Sequence, residues 1–344
     1  MNHYILGIES SCDDTSAAVI ENQTILSNVI ASQKIHAEYG GVIPEWASRA
    51  HQQNIVPVID AALKRANITK NNLQAIAYTR GPGLLGSLLV GTSFAKALSY
   101  SLQIPILEVD HIQSHVLALF LQKPEIEKEY PQFPFLCLTV SGGHTQIVLV
   151  EDYFSMKIVG KTIDDAAGEA FDKAAKMLGF PYPGGPSIDK FAQDGKPVFA
   201  FSQANLPDFD YSFSGLKTSI LYFLRNELKK DADFIEKNKA DIAASVQEII
   251  IQTLIKKLIQ ASKHYNIKEI GVAGGVSANS GLRKLLQQTA EKKGWNLYLP
   301  DFDLTTDNAA MIAVSGYFKL LNQNFGSLED TPYTRYTSGG QKLV

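Results

Sequence analysis

Tyr4-Ile5-Leu6-Gly7-Ile8-Glu9 is a short apolar run ending on a carboxylate; Ser10-Ser11-Cys12-Asp13-Asp14 follows, and the chain turns apolar again at Ala17-Ala18-Val19-Ile20. Apolar runs of this length around a polar cluster read as strand, tight turn, strand, and the turn is a phosphate-loop candidate. The pattern returns far downstream, as Phe135-Leu136-Cys137-Leu138-Thr139-Val140, then Ser141-Gly142-Gly143-His144-Thr145, then Gln146-Ile147-Val148-Leu149-Val150. A second echo keeps the same order. AIAYTRGPGLLGSLLVG, beginning at Ala75, and EIGVAGGVSANSGLRKLL, beginning at Glu269, each run strand, glycine turn, helix start. One glycine turn is ordinary in any α/β protein. Four in matched order point to an internal duplication.

Two lobes built from one repeated unit, each with a turn whose backbone N–H groups face a shared cleft, can grip a nucleotide's phosphates. The expected fold is therefore α/β, a duplicated actin-like (ASKHA, RNase H-like) two-lobe architecture with a nucleotide-binding cleft. Lys123 to Pro134, with its charges and three prolines, reads as the connection between lobes. This places one lobe at 1–122 with 308–344 and the other at 135–307. Gly40-Gly41 and Pro44, within His36 to Arg49, mark a loop leading into a helix that runs through Ala62, and Ile242 to Ile259 reads as a core helix. The apolar stripe after His51 (Ile55, Val56, Val58, Ile59, Leu63) suits packing in its own lobe or docking of a partner.

A chain of 344 residues exceeds the size at which a single core stops growing, and 45% apolar residues suffice for two packed lobes. No apolar stretch reaches the roughly 20 residues that span a bilayer. MNHYILGIESSCDD has no basic n-region, so a soluble cytoplasmic protein is expected. Two cysteines make neither a disulfide framework nor a thiolate-rich zinc site. A net charge of −3 gives no general attraction to nucleic acid, so any RNA contact rests on local patches or on partner subunits.

His111 and His115 stand four residues apart in HIQSHVLALFL, after the strand Pro105 to Val109. On a helix that spacing puts both imidazoles on one face, within reach of one cation, although two polar residues at a helix start would look the same. Asp307, in TTDNAAMIA, is either a third ligand or the cap of the apolar helix it precedes. Between the histidines stand Ile112, Gln113 and Ser114, so the glutamate a zincin protease needs is missing. Two imidazoles and a carboxylate suit iron(II) or zinc with open coordination positions, a Lewis acid rather than a hydrolase. The Val140 to Thr145 turn pairs two glycines, which permit close backbone approach, with hydroxyls that can donate to phosphate; its alternative is a plain hairpin turn. Asp165, Glu169 and Asp172 recur at helical spacing in DDAAGEAFDKAAKMLG, with Asp172 a candidate for a ribose hydroxyl. The rigid turn Tyr182 to Pro186, followed by Asp189, and the turn Gly274 to Asn279 are candidates for the adenosine side.

The strings GIESSCDDTS, HAEYGGVIPEWASR, YTRGPGLLGSLLVG, HIQSH, VSGGHTQ, DDAAGEAFDK, PGGP, SFSGLKT, GGVSAN and TTDNAAMIA occur in this order, nearly end to end. With them the chain resembles the family of tRNA threonylcarbamoyladenosine-forming proteins (TsaD in bacteria), once called O-sialoglycoprotein endopeptidases. SGGHTQ and DDAAGEAFDK are similar to its bacterial branch. The resemblance implies transfer of a threonylcarbamoyl group from threonylcarbamoyl-AMP to N6 of adenosine 37 in tRNAs reading codons that begin with adenine, with AMP released. It implies one divalent metal, iron(II) or alternatively zinc, on His111, His115 and Asp307. It also implies substrate along Thr139, Val140, Ser141, Gly142 and Gly143, with Asp172, Gly185, Asp189 and Asn279 around the adenosine, a place ATP or AMP can also take. Asp13 corresponds to an acidic residue near the reacting group. Archaeal relatives carry a metal-reaching tyrosine where Thr139 stands, which leaves that coordination position to water or substrate. Implied partners are tRNA, a TsaB-like paralogue, a TsaE-like ATPase and an upstream threonylcarbamoyl-AMP synthase, with no membrane. The rival readings are an actin-like ATPase or small-molecule kinase, which needs no histidine pair, and a nucleotide-switched scaffold, which binds without turnover.

Overall fold

The first hairpin is β1 (Tyr4–Glu9) and β2 (Asp14–Glu21), antiparallel with Ile5 opposite Ile20 and Glu9 opposite Ser16. The computed structural model describes residues 2–33, 42–204 and 206–335 and the backbone of 342–343; His36 to Gly41 of the sequence motif lie outside the described residues. β3 (Thr24–Ser32) adds antiparallel to β2. After α1 (Pro44–Arg65), β4 (Ala75–Gly81) pairs parallel with β1; after α2 (Leu85–Leu102), β5 (Ile106–Asp110) pairs parallel with β4 and runs directly into α3 (His111–Leu117). The sheet order is β3-β2-β1-β4-β5. β1 is buried from Ile5 onward, as a strand covered on both faces must be, which explains its apolar run without alternation. Ile55, Val58 and Ile59 of α1 pack with Leu6, Ile8, Val19, Ile76 and Tyr78, so most of the stripe after His51 serves its own unit; Val56 stays exposed.

The second half repeats this plan. β6 (Phe135–Val140), β7 (Thr145–Val150) and β8 (Met156–Lys161) form an antiparallel meander. Helices α4 (Ala167–Met177), α5 (Gly185–Ala192), α6 (Ser214–Leu228) and α7 (Phe234–Tyr265) follow. β9 (Glu269–Ala273) then pairs parallel with β6, and after α8 (Ser280–Lys293) β10 (Asn296–Tyr298) pairs parallel with β9. Taken from β8, their order, β8-β7-β6-β9-β10, matches β3-β2-β1-β4-β5 strand for strand, and the register shift at Val19/Ile20 has its counterpart at Ile147/Val148. The doubled topology is the actin-like duplication expected from the glycine turns. Ile242, Val246, Ile250, Leu254 and Leu258 form one buried stripe of α7, which is a core helix.

The chain forms two compact units, Met1–Tyr130 with Thr306–Leu343, and Pro131–Thr305. α9 (Ala309–Leu321) completes the first, burying Met311, Ile312, Val314 and Phe318, a contribution of roughly 1.5–3 kcal/mol for each large side chain. It lies so close to β1 that a Cβ on Gly7 would stand 2.2 Å from the Ala309 carbonyl oxygen, which is why glycine occupies the middle of that strand. No described helix is long and apolar enough to cross a membrane.

Candidate functional site

All three proposed ligands belong to the first unit. Asp110, the last residue of β5, caps α3, its Oδ1 accepting the N–H groups of Ile112 and Gln113, both at 2.9 Å. A helix of seven residues has little stability of its own, so the cap and burial fix it. His111 and His115 are both buried on it, their rings edge to face with centroids 4.8 Å apart. Asp307 comes from the segment before α9. Its cap reading fails for a local reason: Asn308 accepts the Met311 N–H and caps the helix, which leaves the Asp307 carboxylate to the imidazoles. Asp307 Oδ1 lies 3.1 Å from His115 Nε2 and 3.5 Å from His111 Nε2.

Behind His111 stands Glu9, which the sequence reading passed over. Its side chain is 1% exposed, and Oε2 lies 3.0 Å from His111 Nδ1 while accepting the Thr79 hydroxyl at 2.6 Å. Its Oε1 accepts the Ser11 N–H. Burial opposes charge on His111, but Asp307 and then Glu9 outweigh it and raise the imidazole well above its ordinary value. Burial likewise opposes ionisation of Asp307, yet His111 and then His115 hold it well below the usual carboxylate range. Glu9 is held low in the same way by His111, against its burial. The arrangement suits a cation: one carboxylate oxygen and two imidazole nitrogens lie within 4.8 Å of one another, and a buried carboxylate sits behind one imidazole, as metal-ligating histidines usually have. His115 Nδ1 is buried with no protein partner among the described residues.

Asp13 sits half-buried in the first hairpin turn. The turn is tied down by His51, fully buried on α1, whose Nε2 lies 3.0 Å from the Cys12 carbonyl and whose Nδ1 lies 2.8 Å from the Thr15 hydroxyl. Ser87 donates to the same Cys12 carbonyl at 3.0 Å. Burial foremost, with the charges of Asp13, Asp307 and Glu9, lifts the neighbouring Asp14 carboxyl to about 6 against a hydrogen bond from Ser32.

In the second unit, Thr139 and Val140 are buried at the end of β6, and the Thr139 hydroxyl faces Cys137 Sγ at 3.9 Å. The turn after them is closed by Ser141 N–H to the His144 carbonyl at 2.8 Å and by His144 N–H to Ser141 Oγ at 3.0 Å. The start of α4 abuts it, with Ala167 N–H on Thr145 Oγ1 and Gly168 N–H on the Ser141 carbonyl. A Cβ on Gly142 or Gly143 would meet nothing within 4 Å, whereas one on Gly168 would stand 2.5 Å from the Ser141 oxygen. Two of these glycines therefore face open space and the third makes a close approach. Asp172 Oδ1 accepts the N–H groups of Gly184 and Gly185 at 2.7 and 3.3 Å, and burial raises its carboxyl. Asp189 takes the Ser280 hydroxyl and N–H at 2.7 and 3.0 Å, and Asn279 caps α8 while donating to Gln247 at 2.7 Å. The side chains of Asp189 and Asn279 thus shape the start of α8. Gly274, at φ +88°, has no room for a side chain beside the Val140 carbonyl, 2.4 Å from its would-be Cβ.

These features define a class: a duplicated actin-like α/β protein with a two-histidine, one-carboxylate centre. Solved structures agree on the fold. HypF from T. kodakarensis superposes with a TM-score of 0.57 at 15% identity, covering 96% of this chain and 49% of that one. Component A of the (R)-2-hydroxyglutaryl-CoA dehydratase of Acidaminococcus fermentans gives 0.52 at 15%, covering 93% and 99%. Sequence narrows the class. Residues 24–314 match the model of the TsaD family, tRNA N6-adenosine threonylcarbamoyltransferase. Proteins of that name from Porphyromonas gingivalis and Phocaeicola vulgatus are 60% and 59% identical, over 97% and 98% of this chain and 98% and 100% of their own. The chain belongs to this family of acyltransferases, which form threonylcarbamoyladenosine in tRNA.

Proposed function

We propose that the donor is threonylcarbamoyl-AMP and the acceptor N6 of adenosine 37 in tRNAs that read codons beginning with adenine. The N6 lone pair attacks the carbamoyl carbon, a C–N bond forms, the bond from that carbon to the phosphate oxygen breaks, and AMP leaves with the electron pair. An aryl amine is a weak nucleophile, so positioning and electrostatics carry the rate. Asp13 orients the amine and takes its proton. The backbone of Ser141, Gly142 and Gly143, following Thr139 and Val140, meets the phosphate and offsets the charge on departing AMP. Asp172, with one oxygen committed to Gly184 and Gly185, offers the other to a ribose hydroxyl, and Gly185, Asp189 and Asn279 lie around the adenosine, the last two also fixing the start of α8.

His111, His115 and Asp307 would hold one divalent ion, iron(II) or zinc, whose chemistry is Lewis-acid polarisation of a carbonyl or phosphoryl oxygen. The observation that carries this reading is the convergence of those three side chains, with buried Glu9 behind, in a member of this family. A net charge of −3 leaves tRNA attraction to partners, a TsaB-like paralogue and a TsaE-like ATPase; the chain works in the cytoplasm, with a separate synthase upstream making the adenylate.

The test uses purified components. Given preformed threonylcarbamoyl-AMP and unmodified tRNA, the chain should release one AMP per adenosine modified, over many turnovers only when both partners are present. AMP release without modified nucleoside contradicts the transfer reading, and many turnovers by the isolated chain contradict the partner reading.

A further inference from the structure

Beyond α9, the segment from Gly326 to Tyr333 runs beside β5, the last strand of the first sheet. Gly326 N–H donates to the Ile106 carbonyl at 2.9 Å, and Tyr333 N–H to the Arg80 carbonyl at 3.1 Å. Arg80 returns the bond, Nε to the Thr331 carbonyl at 2.9 Å, while its guanidinium lies 3.6 Å from Glu108 and 3.7 Å from Asp330. Lys319 holds Glu108 at 2.6 Å, and Lys96 donates to the Asp330 carbonyl. These anchors deliver one side chain to one place. The Tyr333 hydroxyl lies 2.5 Å from Asp110 Oδ2 and 3.1 Å from the Gly81 carbonyl. Asp110, charged and nearer, is the better acceptor for the single phenolic proton.

Asp110 is the cap of α3, and its other oxygen holds the Ile112 and Gln113 N–H groups. Both proposed imidazole ligands ride on this one short helix, while the carboxylate ligand comes from another element. A small rotation of the Asp110 carboxylate therefore shifts both imidazoles together relative to Asp307. The geometry points to Tyr333 as a positioning residue of the metal centre: its hydroxyl locks the cap that sets where His111 and His115 stand. This inference rests on the reading of His111, His115 and Asp307 as metal ligands.

Tyr333→Phe removes only the hydroxyl. The probe is cobalt(II), followed by its visible absorption, with zinc affinity measured by chelator competition and thermal unfolding measured on metal-free protein. Loss of an outer partner of a metal site typically costs 10–100-fold in affinity, and for this more remote group we expect about tenfold, with an altered cobalt band. Asp110→Ser, which keeps a capping oxygen but has no second polar atom to meet Tyr333, should weaken zinc similarly, and the double variant should be no worse than the weaker single one, because both break one link. If Tyr333→Phe binds zinc within twofold of wild type with an unchanged band, or if it lowers only the melting temperature, the positioning role is overturned. A wild-type protein that binds no cobalt sinks the ligand reading itself, and this inference with it.

Discussion

Glu9→Gln tests the centre from behind. The substitution keeps the shape of a side chain only 1% exposed but removes the charge 3.0 Å from His111 Nδ1 and leaves one amide oxygen to serve the acceptor roles toward Thr79 and Ser11. A carboxylate behind a metal-ligating imidazole raises ligand basicity and fixes the ring, and its loss typically costs 10–100-fold in affinity. That is roughly 1.4–2.7 kcal/mol. The pH dependence has a definite sign. In metal-free protein His111 is held protonated above its ordinary value, partly by Glu9, and must lose that proton before binding a cation. At alkaline pH neither protein carries this cost, so the full difference appears; in acid the variant, with its lower His111 value, has less to overcome, and the gap narrows. Zinc competition with a chromophoric chelator across the pH range reads both effects. Equal affinities throughout, or a gap that widens toward acid, would refute the reasoning.

His111→Ala and Asp307→Ala should each abolish stoichiometric metal and transfer while leaving far-ultraviolet circular dichroism unchanged, since Asn308 rather than Asp307 caps α9; metal analysis of the purified variants decides. Gly143→Val should weaken binding of an AMP analogue by at least about tenfold in calorimetry without lowering stability, because its Cβ meets nothing within 4 Å. Gly168→Ala should instead destabilise by roughly 1–3 kcal/mol in denaturant unfolding, its Cβ being forced to 2.5 Å from the Ser141 oxygen. Asp14→Asn removes a carboxyl lifted from the usual 3.8 to about 6. The folded state binds that proton more tightly, so the group's cost grows as pH rises through this window. The variant should gain roughly 1–3 kcal/mol at pH 7.5 in metal-free protein and nothing near pH 3, as thermal unfolding at the two pH values will show.

The duplication was legible because it is local: each hairpin is two apolar runs around a polar turn, and nothing distant is needed to see it. His111 and His115 were legible as a pair for the same reason, since helical spacing puts them on one face. What completes the centre was not. Glu9 meets His111 across 102 residues and Tyr333 meets Asp110 across 223, and sequence spacing carries no trace of either contact. One signal was present, a carboxylate ending a strand buried along most of its length, where an unpaired charge is costly. His51 shows the converse. It reads as one polar residue on an amphipathic helix, yet it is buried and holds the Cys12 carbonyl in the turn that carries Asp13. The family resemblance puts Asp172, Asp189 and Asn279 around the adenosine, and in the structure each also accepts a backbone N–H of its own unit, Asp172 from the Gly184 turn and the other two from the first turn of α8, because turns and helix starts leave N–H groups that need acceptors.

The most direct measurement of the central claim is the nucleoside composition of tRNA in cells depleted of this chain, resolved by mass spectrometry. The account predicts that threonylcarbamoyladenosine falls as unmodified adenosine 37 rises, and that wild-type protein restores it whereas Asp307→Ala does not. Undiminished threonylcarbamoyladenosine after depletion, or full restoration by Asp307→Ala, would contradict it.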